Sequence, residues 1–152
     1  GVILSNVSIW HKMVNENLDK LLILEDDVVF KDDAPDLISK SFSHLPDDWD
    51  IVQIAAHSGG PSVNNFFGKF TGPWYIGNWA YGLSLSGAKK LLKIVDSSGV
   101  YGPLDNFIGD NSKTLNIYYY KDMPGTQGDR SVFGSNIDHC GDANSFFENP
   151  IL

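Results

Sequence analysis

The feature that most constrains this chain is a junction between an apolar run and a cluster of acids. Leu21-Leu22-Ile23-Leu24 shows no polar alternation, and Glu25-Asp26-Asp27 follows it without a break. Such a short continuous run predicts a strand buried on both faces, as in a sheet covered by helices. The acids then stand at the carboxyl end of that strand, where open α/β sheets bind their ligands. Three adjacent carboxylates repel one another unless a cation sits among them. In an extended backbone Glu25 and Asp27 point to one side and Asp26 to the other. Two carboxylates can then share a hard divalent ion, Mg²⁺ or Mn²⁺, whose shell is completed by water and substrate phosphates. The competing reading is a solvated strand-end turn, where acids are common. An EF-hand loop is excluded, because its glycine and closing glutamate are missing at the required offsets.

Around this junction the chain alternates helical and extended patterns. Ile9, Trp10, Met13, Val14 and Leu18 recur at helical spacing after a cap at Ser5 or Asn6. Asp32-Asp33 before Ala34-Pro35 predicts a second helix, with Leu37, Ile38, Phe42 and Leu45 facing inward and Leu45-Pro46 ending it. Ile51 to Ala55 reads as a second strand, followed by a long loop rich in Gly, Ser and Asn up to Gly72. Trp74 to Leu85 reads as a third strand or hairpin, Ser86 as the cap of a helix ending at Gly99, and Leu115 to Tyr120 as a further strand. The tail from Asp122 to Leu152 has little periodicity. Strands alternating with helices predict an α/β layered fold.

A length of 152 residues suits one domain with a real core. The formal charge of −8 argues against nucleic acid, which selects basic surfaces, but a nucleotide can still bind through a bridging divalent cation. The single cysteine, Cys140, excludes an intramolecular disulfide and leaves the compartment open. No run reaches the ~20 apolar residues of a membrane span. The chain opens on Gly1 and runs straight into Val2-Ile3-Leu4, which reads as entry partway through a structural element of a longer protein.

Aromatic residues form 12% of the chain, enough to supply both a core and a flat face for a sugar or base. Strand alternation separates Tyr75 and Trp79 from the more apolar parity of Ile76 and Ala80, and makes them the candidate sugar platform. At least two of Trp74, Tyr75, Trp79 and Tyr81 belong to the core by default. His57 ends the second strand ahead of Ser58-Gly59-Gly60, where backbone amides could approach a phosphate or sugar. Gln127, Asp129 and Arg130 lie in the tail, with Arg130 a conceivable phosphate partner.

Several blocks together resemble glycosyltransferase family 25, in family order across residues 1 to about 108. They are Gly1 to Ser5 with Trp10; Leu-Ile-Leu-Glu-Asp-Asp-Val at 22 to 28; Trp-Asp-Ile-Val at 49 to 52; Ala80-Tyr81 with Leu83-Ser84; Gly87 to Leu92; and Pro103-Leu104-Asp105. After Tyr120 the likeness thins to Pro124, Gln127 and Ser135. The family includes bacterial lipooligosaccharide galactosyltransferases, which serve lipopolysaccharide biosynthesis, and procollagen galactosyltransferases. A departure stands at Ser5-Asn6, where the family usually has Ser-His.

The resemblance implies a GT-A type, Rossmann-like layered α/β domain with a mostly parallel mixed sheet. Residues 1–152 would be one catalytic domain, truncated at its N-terminus, keeping the metal and acceptor side and lacking most of the nucleobase pocket. Glu25-Asp26-Asp27 would play the part of the Asp-x-Asp motif and contribute to nucleotide binding. Asp27 would be the direct metal ligand, with Glu25 acting through a water or the ribose. His139 would complete the shell of Mn²⁺ or Mg²⁺ from the tail. Asp105 would be the base of an inverting transfer, its competing role being a helix cap. The donor would be a UDP-sugar, in the simplest case UDP-galactose, and the acceptor a glycan or hydroxylated protein side chain. Members occur in bacterial cytoplasm, the endoplasmic reticulum lumen and large viruses. Two other readings fit parts of the pattern: a metal-stabilised carbohydrate-binding or inactive transferase-like domain, and a glycoside hydrolase with two carboxylates.

Overall fold

The computed structural model describes residues 1–72 and 76–129. Its elements run in the order α1 (Val2–Asn15), β1 (Lys20–Leu24), β2 (Val28–Phe30), α2 (Ala34–Ser41) with a 3₁₀ turn (Phe42–His44), β3 (Ile51–His57), β4 (Phe67–Lys69), β5 (Ile76–Ser84), α3 (Leu85–Ser98), α4 (Leu104–Asp110), β6 (Ile117–Tyr120) and β7 (Gly125–Gln127). Five strands form one sheet in the order β1-β5-β3-β6-β4, and β2 pairs with β7 in a separate ribbon.

Helices cover both faces of the large sheet. On one face Trp10 and Met13 of α1, Ala88, Leu91 and Leu92 of α3, and Leu104, Phe107 and Ile108 of α4 pack against Ile23, Ile51, Tyr81, Leu83 and Ile117. Trp10 and Phe107 stack with ring centroids 6.3 Å apart, joining α1 to α4. On the other face Leu37 and Ile38 of α2, together with Phe42 and Leu45, meet Val52, Ile54, Phe67, Tyr118 and Tyr120. Truncating one of these fully buried side chains, Leu91 for example, costs about 2–5 kcal/mol. The domain is therefore layered α/β, as the alternating patterns predict.

The sheet departs from the expected polarity. Pairing is antiparallel between β1 and β5, β3 and β5, and β4 and β6, and parallel only between β3 and β6. No helix intervenes between β3 and β5, and β5 returns antiparallel between β1 and β3. Nor is β1 buried on both faces. It is an edge strand, and Leu22 and Leu24 are 51% and 49% exposed.

Local differences have local causes. The first helix starts at Val2, and Asn6 and Ser8 lie inside it, each donating to the carbonyl four residues back. The cap of α3 is Ser84, whose Oγ accepts from Gly87 N at 3.0 Å, while Gly99 closes the helix at φ 72° as expected. The loop after β3 contains β4 and a bridge between Ser62 and Gly68, and Tyr119 Oη donates to Gly60 O at 2.7 Å. It is a braced excursion.

The antiparallel pairings fix where a site can be. Both β1 and β3 run against β5, and β6 runs with β3, so the carboxyl ends of all three reach one rim. Glu25 follows the first and His57 ends the second.

Candidate active site

The acid cluster is a turn. Glu25 N donates to Trp79 O at 2.8 Å, carrying the β1–β5 ladder one residue beyond the strand, and Val28 N closes back on Glu25 O at 3.4 Å. The extended alternation expected for the three acids therefore stops at Glu25, and Asp26 is exposed at the tip. Asp27 is held from the other side by the tail. Its carbonyl accepts from Gly128 N at 2.7 Å, and its Oδ2 accepts from Gln127 Nε2 at 2.9 Å. Asp27 Oδ1 is buried and has no hydrogen-bond partner among the described residues.

Asp105 approaches the same rim from α4. Its Oδ2 accepts from Gly77 N at 3.1 Å and its Oδ1 from Asn106 N at 2.9 Å. The cap position of α4 is Pro103, so Asp105 lies in the first turn and its orientation is set by two amides. Gly77 has φ 69°, and a Cβ there would stand 2.6 Å from the Trp79 ring, so glycine alone suits the junction.

Electrostatics tie these residues together. The Glu25 carboxyl is pushed up to about 7, first by burial and then by the charges of Asp27, Asp105 and Asp26. Ion pairs among the described residues involve Glu16, Asp122, Asp36 and Asp50, and none of these four acids. Beneath Glu25 the Tyr81 hydroxyl donates to Asn6 Oδ1 at 2.6 Å and accepts from Trp10 Nε1 at 3.1 Å. Burial holds that hydroxyl well above its ordinary range; the Trp10 bond acts against the rise, and the Glu25 charge adds to it.

Among the described residues this half-buried carboxylate cluster at a strand-end rim has one orphaned oxygen and no counter-charge, which suits a ligand that brings positive charge. Residues 1–60 match the model of "Glycosyltransferase family 25 (LPS biosynthesis protein)". The first 60 residues are thus similar to glycosyltransferase family 25. The chain is 29% identical over 119 residues to procollagen galactosyltransferase 2 of Mus musculus, an alignment covering 71% of this chain and 18% of that protein. The human procollagen galactosyltransferase 2 is 28% identical over the same length. The inactive glycosyltransferase 25 family member 3 of Mus musculus is 31% identical over 103 residues, covering 60% of this chain and 17% of that protein. The chain thus spans about a fifth of the length of these curated relatives.

Against the family 25 expectations, the fold brings Glu25, Asp26, Asp27 and Asp105 into one electrostatic neighbourhood. Trp79 is different. Its ring is 9% exposed and packed in the second core cluster, with His57 edge-on at 5.3 Å, so it has no open face for a sugar. The β3–β5 ladder shifts register between Gln53 and Ala55 and again between Ala55 and His57, beside Trp79. Tyr75, Arg130 and His139 lie outside the described residues. Among the described residues, no three His, Cys, Asp or Glu side chains converge closely enough to hold a metal by themselves.

Three contributions escaped sequence reasoning. Gln127 stands out in the family-like part of the tail, but its role does not, because its partner is a hundred residues away. Asn6 sits in the sequon Asn6-Val7-Ser8 yet is buried, its amide spent on Val2 O and the Tyr81 hydroxyl, so the folded chain does not present it for glycosylation. Gly77 carries no signal without the Trp79 ring beside it.

Proposed function

We propose that this chain is the metal- and acceptor-side part of a glycosyltransferase catalytic domain. It would transfer a hexose, in the simplest case galactose from UDP-galactose, with inversion, onto a hydroxyl of a glycan or hydroxylated protein side chain. The observation that carries the reading is the meeting of Glu25, Asp27 and Asp105 at one rim, with no ion pair to any of them among the described residues. The donor set fits Mn²⁺ or Mg²⁺: carboxylates only, one buried oxygen left unpartnered, and too few ligands unless water and phosphate complete the shell. When bound, the ion supplies Lewis-acid neutralisation of charge on the diphosphate.

The chain's own residues divide the remaining work. Asp27 would hold the ion through Oδ1, and Glu25 would act through a water or the ribose. His139 is the candidate for a further ligand. Asp105, half-exposed and fixed by two amides, takes the proton of the acceptor hydroxyl as that oxygen bonds to the sugar C1. The bond from C1 to the phosphate oxygen breaks, and the nucleoside diphosphate leaves with the electron pair. Inversion follows from attack on the face opposite the leaving group.

A donor screen on the full-length protein, following nucleoside diphosphate release with and without Mn²⁺, tests this directly. Asp105→Asn should lower kcat by about 10²- to 10⁴-fold with the donor KM little changed. Full turnover in that variant removes the base, nucleoside diphosphate release that survives chelation overturns the metal, and glycan cleavage without any nucleotide-sugar points to a hydrolase. Identity to the inactive family member 3 favours a second reading, a glycan-binding relative without turnover. It predicts saturable glycan binding and no donor consumption.

A further inference from the structure

The geometry points to Gln127 as the residue that positions Asp27 for the cation, leaving Oδ1 as the single metal-facing oxygen. This rests on the metal reading above and adds a residue to it. Gln127 Nε2 occupies Oδ2 at 2.9 Å, while Oδ1 is buried and unpartnered among the described residues. A carboxylate fixed at one oxygen no longer rotates, so binding at the other costs less ordering. One-oxygen coordination also matches the habit of Mg²⁺-like ions, which take one or two carboxylates and keep several waters.

The support for Gln127 is itself rigid. It lies on β7 directly opposite Val28, the residue after Asp27, in the antiparallel β2–β7 ribbon. The ribbon is tied at both ends, by Gly128 N to Asp27 O at 2.7 Å and by Lys31 N to Pro124 O at 2.9 Å. It also lies tightly on β3: a Cβ at Gly125 would stand 3.1 Å from Ala55 Cβ and 3.2 Å from Val29 O. The segment that sequence reading left without structure is thus a brace for the acid turn.

The choice of an amide is informative. A lysine or arginine at 127 would hold Asp27 as firmly but would cancel the charge the cation needs. Glutamine orients the carboxylate and leaves its charge intact.

Mn²⁺ titration of the metal-free full chain, read by calorimetry and thermal shift, tests the assignment without any donor or acceptor. Gln127→Met keeps the bulk and removes the donor; Mn²⁺ affinity should fall about 10- to 100-fold with the metal-free melting temperature nearly unchanged. Gln127→Lys should abolish saturable binding while the metal-free protein melts at or above the wild-type temperature, an outcome a purely structural glutamine does not produce. Thr126→Ala, on the exposed neighbour in β7, should bind as wild type. Wild-type affinity in Gln127→Met or Gln127→Lys, with Asp27→Asn unable to bind, overturns this inference alone. Failure of the wild-type chain to bind Mn²⁺ overturns the metal reading beneath it.

Discussion

The sheet carries a buried carboxylate centre at each end, and the two are built to opposite rules. At the amino end of β3, Asp50 is fully buried; its Oδ2 is matched by the Lys90 ammonium and by Asn116 N at 2.8 Å, while its Oδ1, like that of Asp27, has no hydrogen-bond partner among the described residues. Its carbonyl accepts from Ser84 N, and Gly87 is glycine because a Cβ would lie 2.4 Å from that same carbonyl oxygen. Asp50 thus joins the start of α3 to the start of β6. At the carboxyl end, the donors that meet Glu25, Asp26, Asp27 and Asp105 among the described residues are neutral, Gln127 and backbone amides. The lesson lies in the counter-charge. Where the chain supplies its own cation, the acid is architecture; where it withholds one, the acid is kept for a ligand.

Removing Asp50 should give the largest effect. Asp50→Ala leaves Asn116 N and the Lys90 ammonium without their acceptor and should cost about 3 kcal/mol of stability, read as a lower urea midpoint. A cost below about 1 kcal/mol would dissolve the contrast between the two ends. Asp27→Ala should do the reverse. Metal-dependent transfer should fall by at least about 100-fold, equivalent to ~2.7 kcal/mol in the barrier, with only a small loss of stability.

Glu25→Gln sharpens the comparison through pH. The folded carboxyl titrates near 7 against an ordinary 4.5, so the native state binds this proton more tightly than the unfolded chain. Its contribution to stability is full below about 4.5 and is lost as pH rises through 7. Wild type and Glu25→Gln should therefore melt alike near pH 4, and the metal-free variant should melt higher at pH 8. An equal melting temperature at pH 8 would mean that the rim does not strain this acid. Least affected should be Lys31→Met, which breaks the exposed pair with Asp122 and should shift stability by no more than about 0.5 kcal/mol.

Much of the fold was legible because its signals are local. Pro35 after an acidic start marked α2, Gly99 marked the end of α3, and the apolar faces of α1 and α3 followed helical periodicity. Strand polarity was not legible, since β5 pairs with β1 more than fifty residues away. The exposure of Leu22 and Leu24 was hidden for the same reason: the run that reads as a central strand lies at an edge. Within the site, the acids announced themselves, while the burial of Trp79 depends on packing that strand alternation does not record.

The sequence by itself determined that a cluster of like charges ends an apolar strand, and hence that something must answer that charge. Tertiary structure decided what does and does not answer it. Gln127 comes from β7 and Asp105 from α4, each brought to the rim by pairing and packing across many tens of residues, and Lys90 is spent on Asp50 at the far end. Composition and spacing record which charges a chain owns; only the fold assigns them to partners, because ion pairs and hydrogen bonds act over a few ångströms in space whatever the distance along the chain.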